Sequence, residues 1–169
     1  MEPLIHFIIP FTVLILLGLR FKEALPLSLL ALTPDLDVFF HVHRSPTHSI
    51  FILLVPFILL SPLVLKFKLQ KYAVLAFLML VLHSVLDMFA GYTPIFWPLY
   101  DQSIWVIFGS TAKLGSIPNL TLNLKILTKP TIFTYSETFE GVLFTGQSAV
   151  ISAILFILAI IKTKVRKLK

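Results

Sequence analysis

Residues 72–89 read YAVLAFLMLVLHSVLDMF, an apolar stretch that carries a histidine and an aspartate near its end. His83 and Asp87 are four residues apart, so both side chains project from the same face of a helix. Ionisable side chains are costly to keep in such a stretch and by default indicate a functional site. The stretch therefore predicts a membrane-spanning helix with a functional pair at one end.

The composition of the whole chain supports a membrane location. Hydrophobic residues make up 57% of the 169 residues, charged residues make up 13%, and the mean hydropathy is +0.96. These values indicate an integral membrane protein and argue against a water-soluble domain. The length leaves room for one compact bundle, so we predict a single membrane domain over residues 1–169.

Other apolar runs complete the predicted bundle. Residues 24–33 are too short to cross a bilayer and end at Pro34, which predicts a half-helix. Three longer runs predict spanning helices, one of them kinked by Pro56 and Pro62. These runs are residues 3–19, 50–65 and 149–161, the last with a start near residue 142. The expected fold is an all-α integral membrane protein, a bundle of about four spanning helices plus a half-helix.

Basic residues are concentrated at three places along the chain, which predicts the orientation in the membrane. They are Arg20 and Lys22, then Lys66, Lys68 and Lys71, and then a tail from Lys162 to Lys169. Positive residues favour the cytoplasmic side, so we expect a multi-pass protein in the cell membrane with a cytoplasmic C-terminus. Residues 35–48 and the end of the run that carries His83 then lie on the extracytoplasmic side. The net charge of +6 does not indicate a nucleic-acid partner, because the basic residues form no groove-facing patch with interleaved aromatics.

The long segment before the last run has a different character. Residues 90–148 contain turn residues and a stretch, residues 120–126, that alternates apolar and polar side chains in the period of a strand. We predict a small extracytoplasmic cap that contains a β-hairpin of residues 117–128 and 131–139, with Pro130 near the turn.

Histidines and aspartates gather in three clusters that the predicted topology brings to one face of the membrane. The clusters are His6, then Asp35, Asp37, His41, His43 and His48, and then His83 with Asp87. Asp37 and His41 are also four residues apart, so they would share one face if the segment after Pro34 is helical. The chain has no cysteine, so a metal would be held by nitrogen and oxygen ligands, which suits zinc first and manganese or iron as alternatives. Such an ion would activate water for hydrolysis. Arg44 is the candidate for holding a phosphate or carboxylate oxygen of a substrate.

Three sequence elements resemble one known family. They are Pro34-Asp35-Leu36-Asp37, then His43-Arg44-Ser45-Pro46-Thr47-His48-Ser49, and then His83 with Asp87. The chain is similar in these elements, and in Trp97-Pro98, to the YdjM-like membrane-bound metal-dependent hydrolases, also described as LexA-binding inner-membrane-associated hydrolases. The resemblance covers about the first hundred residues.

The resemblance implies a site and a substrate class. It implies a metal site with the ligands His6, Asp35, Asp37, His48, His83 and Asp87, in which Asp35, His43 and Arg44 take part in catalysis. Membrane lipids are the expected partners, and the expected substrate is a lipid or lipid-linked phosphoester at the outer membrane face.

Several residues also have simpler interpretations. Asp35 and Asp37 follow a proline and fit a turn or helix cap, and His41 lies among aromatics typical of a membrane interface. Arg44 fits a side chain that reaches to lipid head groups, and His83 with Asp87 fits a hydrogen-bonded pair without metal. At the level of function, the same residues fit a divalent-ion or proton transporter, or a non-catalytic membrane protein with a structural metal.

Overall fold

The computed structural model of the chain describes residues 2–42, 44–113, 119–138 and 142–167. These residues form α-helices, short 3₁₀ helices and a two-stranded antiparallel sheet. The α-helices are α1 (Pro3–Leu16), α2 (Phe21–Leu30), α3 (Ile50–Leu59), α4 (Ser61–Lys66), α5 (Gln70–Ala90) and α6 (Gly146–Lys167). The 3₁₀ helices are Thr33–Phe40 and Pro46–His48, and the strands are β1 (Gln102–Lys113) and β2 (Asn119–Pro130).

Two of the described helices are long and apolar enough to cross a membrane. They are Gln70–Ala90 and the Gly146–Arg166 part of α6, each of 21 residues. At 1.5 Å per residue each is about 31 Å long, the thickness of a bilayer's hydrocarbon core. Only 33% of the apolar window of α5 and 17% of that of α6 are buried inside the protein, which leaves surface on both helices for contact with lipid.

The prediction of about four spanning helices is therefore wrong. The other apolar helices, α1 and α3, have 14 and 10 residues, which is too short to span as straight helices. The prediction of an all-α fold that carries only a small β-containing cap also understates the sheet, because each strand is 12 residues long. The hydrophobic runs do form helices, but the helices in the runs of residues 3–19 and 50–65 are shorter than the runs themselves.

Backbone breaks explain why the two runs are shorter than their apolar sequence. Helix α1 ends at Leu16 because Gly18 adopts a left-handed conformation with φ +94° and the Leu19 amide turns back to the carbonyl of Leu14. The run of residues 50–65 is split between α3 and α4, and Pro62 at the start of α4 has no amide to continue α3.

Helix α1 lies at the centre of the helical packing. Its side chains Ile8, Phe11 and Leu14 are buried against α2, α5 and α6. Helix α1 is linked to α6 at two places, since Thr12 donates to the Leu155 carbonyl near the middle of α6 and Arg166 at the end of α6 donates to the Gly18 carbonyl. A helix too short to span is thus surrounded by protein, which explains its uniformly apolar sequence.

The sheet differs from the predicted hairpin in its strand pairing. Strand β2 overlaps the predicted strand of residues 117–128, but its partner is β1, which precedes it. The register runs from Gln102 opposite Pro130 to Lys113 opposite Asn119. Described residues 131–138 form no strand. The prediction placed the turn at Pro130, whereas the strand β2 ends there, because proline has no amide to continue a ladder.

The hairpin is attached to the end of α5. The helix ends at Ala90, where the Gly91 amide bonds to the Asp87 carbonyl. Two residues later Thr93 forms an isolated bridge with Ile104 of β1, with both backbone hydrogen bonds at 2.9 Å. The last turn of α5, which carries Asp87, therefore lies beside the root of the hairpin.

Candidate metal centre

Four side chains from three separate segments meet beside the end of α5. They are Asp35, His48, His83 and Asp87, and one ligand atom from each lies within 4.8 Å of the others. His48, His83 and Asp87 are fully buried, whereas Asp35 is partly exposed. These four residues are called the cluster below.

Helix α5 supplies two members of the cluster at the spacing that the sequence predicts. His83 and Asp87 are one turn apart, with 3.8 Å between His83 Nε2 and Asp87 Oδ2. Both face the protein interior along with Ala76, Met79 and Leu80 of the same helix. The buried face of the helix thus changes from apolar to ionisable side chains in its last two turns.

His48 is held in the cluster by a tightly capped turn. It ends the second 3₁₀ helix, which begins after Ser45, and Ser49 caps the N-terminus of α3 by accepting from the Phe51 amide at 3.2 Å. From this position His48 Nε2 lies 3.1 Å from Asp87 Oδ2 and 3.6 Å from Asp35 Oδ1. Ser49 also donates its hydroxyl to the Trp97 carbonyl, which ties the turn to the segment after α5.

Asp35 enters the cluster from the first 3₁₀ helix. Its Oδ1 atom lies 3.5 Å from His83 Nε2. Among the four members of the cluster, Asp35 is the partly exposed one.

Asp37 lies on the opposite side of His48. Its Oδ2 atom is 3.4 Å from His48 Nδ1 and accepts a hydrogen bond of 2.8 Å from the Ser45 amide. A carboxylate behind the second nitrogen of a ligating imidazole fixes the orientation of the ring and raises its basicity. Asp37, which the sequence analysis predicts as a ligand, therefore contacts the cluster through His48.

His6 reaches the cluster from the start of α1. Its Nε2 atom lies 2.7 Å from Asp87 Oδ1, and its ring centroid is 4.6 Å from that of His83. The other ring nitrogen lies 3.2 Å from the Glu2 carbonyl. His6 therefore contacts the Asp87 oxygen that does not face His48.

Arg44 lies between the cluster and the root of the hairpin. It has a positive φ of 55°, its Nε atom is 4.0 Å from Asp87 Oδ2, and Nη1 donates to the Tyr92 carbonyl at 3.2 Å. Its guanidinium passes directly over Gly91, where any Cβ would overlap Nη1. A role for Gly91 in the site was not predicted from the sequence. Its position one helical turn after Asp87 is the feature from which that role could have been predicted.

His41 is not a member of the cluster. His41 is exposed, and the expected helical pairing of Asp37 with His41 is absent because their segment is a 3₁₀ helix that ends with His41 at φ 58°. The His41 ring contacts Tyr135 with 5.1 Å between centroids, and His41 bonds to Ser136. His43, predicted to act in catalysis, lies outside the described residues.

Hydrogen bonding shows that the cluster fits a bound cation. Asp35 Oδ1, His83 Nε2 and Asp87 Oδ2 are buried, and within the described part of the chain they make no hydrogen bond. A buried polar atom without a partner costs about 1–3 kcal/mol, and more when it is charged. A divalent ion accepts electron pairs from oxygen and imidazole nitrogen at once, so the donor set could hold a metal ion.

Comparison with known families supports the resemblance. A family model described as YdjM inner membrane protein matches residues 1–166. The chain belongs to this family. No curated protein and no solved structure matches it. The family description and the two long apolar helices agree with the predicted membrane location.

The electrostatic field in this YdjM-family protein favours positive charge at the cluster. Burial acts against the charged form of His48, but three surrounding carboxylates outweigh it and raise the pKa of His48 to about 10. Burial likewise acts to raise the pKa of Asp35, yet the imidazoles of His48 and His83 hold it well below its usual range. A field that stabilises a proton on His48 also stabilises a metal cation in its place.

Proposed function

We propose that this YdjM-family protein is a membrane-embedded, metal-dependent hydrolase that acts on a lipid or lipid-linked phosphoester. The observation that carries the proposal is the cluster itself, in which two imidazoles and two carboxylates converge within 4.8 Å. Its members come from distant parts of the sequence, so their meeting is a product of the fold. A structural ion pair would need fewer groups and would leave fewer of them without hydrogen bonds.

Asp35, His48, His83 and Asp87 would hold the ion, with zinc as the first candidate and manganese or iron as alternatives. When bound, such an ion polarises a phosphoryl oxygen and lowers the pKa of water. Asp37 supports His48 from behind, and His6 supports Asp87 from the side opposite His48. His6 and Asp37 contact the cluster in this way without being among its four members, and their predicted role as ligands stays a prediction.

The chain's own residues supply the other catalytic functions. Asp35 is the partly exposed carboxylate of the cluster, so it is placed to accept a proton from attacking water. Arg44 is the nearest cation, and its planar group suits the oxygens of a phosphate. His43 remains a predicted catalytic residue.

An apolar surface beside the cluster supports a lipid substrate. Phe39 and Phe40, which follow Asp37 in the first 3₁₀ helix, are 78% and 79% exposed, and Leu36 between the two aspartates is 50% exposed. Exposed apolar groups next to a polar site are typical of surfaces that contact lipid or another protein. In a membrane protein this arrangement brings lipid head groups close to the cluster.

We further infer that the cluster faces the extracytoplasmic side and that the C-terminus is cytoplasmic. The two long helices are consistent with this orientation, because Lys66, Lys68 and Lys71 flank the start of α5 and the basic tail ends α6. His83 and Asp87 then lie toward the outer end of α5.

The decisive experiment measures phosphoester hydrolysis by the purified full chain in detergent, loaded with zinc or manganese. Phosphatidate, polyprenyl phosphate and phospholipids are the substrates, and His48→Ala and Asp87→Ala are the inactive controls. We expect release of phosphate from a phosphomonoester, or of a phosphorylated product from a phospholipid, that a chelator abolishes and that falls about a hundredfold or more in both variants. Metal-loaded protein that hydrolyses none of these substrates would contradict the proposal and favour ion transport.

The same assay tests the orientation. Dihexanoyl phosphatidate, a soluble phosphomonoester, is added to intact spheroplasts that contain the protein and to lysed membranes. Equal hydrolysis in both preparations is expected for an extracytoplasmic site. Hydrolysis that requires lysis would place the site on the cytoplasmic side.

A further inference from the structure

A cavity of about 250 Å³ lies beside the cluster, between the end of α5, the root of the hairpin and the segment after β2. Its wall includes Arg44, Tyr92, Ser103, Trp105, Lys129 and Thr131. This volume is below the range of pockets that enclose drug-sized ligands, so the cavity suits a small polar group better than a whole lipid.

The wall carries two positive charges. Arg44 reaches it from the side of the cluster, and Lys129 reaches it from the last residues of β2. The Lys129 ammonium lies 4.5 Å from the centroid of the Tyr92 ring and forms no ion pair with any residue that the structure describes. The Tyr92 ring is in turn fixed edge-on to Trp105, with 5.3 Å between centroids. The lysine therefore lines the cavity with a charge that no carboxylate of the described residues neutralises.

Two hydroxyl groups add hydrogen-bonding capacity to the same wall. Ser103 Oγ and Thr131 Oγ1 are 3.0 Å apart, and Ser103 is buried. One of these hydroxyls donates to the other, so the pair keeps one hydroxyl hydrogen that can rotate to donate to a ligand oxygen. The Thr131 position is fixed because its amide donates to the Asp101 carbonyl at 2.7 Å.

Arg44 links the cavity to the cluster. Its Nη1 atom is held by the Tyr92 carbonyl at 3.2 Å, while its Nε atom lies 4.0 Å from Asp87 Oδ2 and has no hydrogen-bond partner among the described residues. A group bound in the cavity would therefore contact the same guanidinium that lies beside the Asp87 carboxylate of the cluster. This neighbourhood favours an anion with several oxygens.

We propose that the cavity binds a phosphate group, with Lys129 as the residue that selects for it. Arg44 and Lys129 match the charge of a phosphomonoester, and the hydroxyl pair of Ser103 and Thr131 can donate to one of its remaining oxygens. The identification of this phosphate as part of the substrate rests on the proposed function, whereas binding itself does not.

The test measures binding of inorganic phosphate to the purified full chain in detergent by calorimetry, with and without chelator. Lys129→Gln removes the charge at the cavity. Lys125→Gln is the matched control, because Lys125 is an exposed lysine on the same strand and does not line the cavity. We expect Lys129→Gln to weaken phosphate binding about tenfold, the effect of losing one charge-assisted contact, and Lys125→Gln to leave it unchanged.

A second ligand distinguishes the source of the phosphate. Dihexanoyl phosphatidate presents the same phosphomonoester on a lipid head group. Tighter binding of this ligand than of inorganic phosphate, again weakened by Lys129→Gln, would assign the cavity to a head group. Equal or weaker binding of it would assign the cavity to free phosphate, such as a released product.

The outcomes separate this proposal from the proposed function. Phosphate binding that depends on Lys129 in the presence of chelator supports the cavity even if no hydrolysis is found. Phosphate affinity equal to that of the wild type in Lys129→Gln, or an equal loss of affinity in both lysine variants, would overturn the proposal that the cavity binds phosphate. This holds even if the protein proves to be a hydrolase.

Discussion

Two polar groups at opposite ends of α5 show how differently ionisable residues are used in this protein. Near the start of the helix, Glu23 accepts hydrogen bonds from the amide, Nε and Nη2 of Arg20 and from the Tyr72 hydroxyl, at 2.7–3.2 Å. Near its end, the cluster brings Asp35 and Asp87 together with imidazoles, and several buried atoms there make no hydrogen bond within the described residues. Both carboxylate oxygens of Glu23 thus have hydrogen-bond partners in the protein, whereas several atoms of the cluster have none among the described residues.

The difference teaches how to distinguish a structural polar group from a ligand site. Glu23 links α2 to α5 and caps the start of α2, so its carboxylate is fully used by the protein. The cluster has two carboxylates in a buried place, where like charges repel and desolvation is costly. A bound cation would offset both costs, because it attracts the two carboxylates and takes the place of the water that they lose.

The strongest way to break this comparison is to remove one carboxylate at each end and measure bound metal. Asp87→Asn keeps the size of the side chain but removes the charge that lies closest to His48, so we expect transition-metal content to fall from about one equivalent to background. Glu23→Gln, the matched control, should retain the metal content of the wild type. Elemental analysis of the detergent-purified proteins gives the answer, and retained metal in Asp87→Asn would rule out the cluster as the site.

A smaller effect would sharpen the roles within the cluster. Asp37→Asn removes the charge behind His48 without removing any of the four converging ligands. We expect metal to bind about 10–100-fold more weakly but at the same stoichiometry, the usual effect of losing a carboxylate behind a histidine ligand. Competition with a chromophoric chelator measures the affinity. Complete loss of metal would instead make Asp37 a ligand, as the sequence pattern predicts.

The smallest effect concerns the group at the other end of α5. Hydrogen bonds from Arg20 lower the pKa of Glu23 from 4.5 to about 2. A carboxylate with a lowered folded-state pKa stabilises the protein above pH 4.5, and this stability is lost as the pH falls toward 2. Because the Arg20 side chain is exposed and Glu23 is only partly buried, we expect Glu23→Gln to lower the unfolding temperature only slightly at pH 6. That difference from the wild type should shrink on acidification, and a difference that grows would contradict the assignment.

Part of the site could be predicted from the sequence because its spacing is local. His83 and Asp87 are one turn apart on a long helix, and an α-helix in this stretch brings them to the same face. The predicted pairing of Asp37 with His41 was wrong because it assumed an α-helix, whereas the segment forms a 3₁₀ helix. A change of helix type alters the residues that share a face.

The number of spanning helices could not be obtained from hydrophobic length alone. Helix α1 is as apolar as a membrane helix, but it is covered by neighbouring helices and ends at a left-handed glycine. The hairpin partner of β2 was also not determined by local alternation, because alternation within one segment identifies a strand but not the strand that pairs with it.

The sequence by itself determined that the protein resides in a membrane, that a metal would have nitrogen and oxygen ligands, and that His83 and Asp87 share one face of a helix. Hydropathy, the absence of cysteine and helical periodicity are properties of composition and of neighbouring residues, so they can be read without a fold. Only the tertiary structure decided that Asp35 and His48 meet His83 and Asp87, that Asp37 lies behind His48, and that Lys129 shares a cavity with Arg44. These contacts join residues far apart in the chain, and packing among whole elements, which no local pattern encodes, sets their distances.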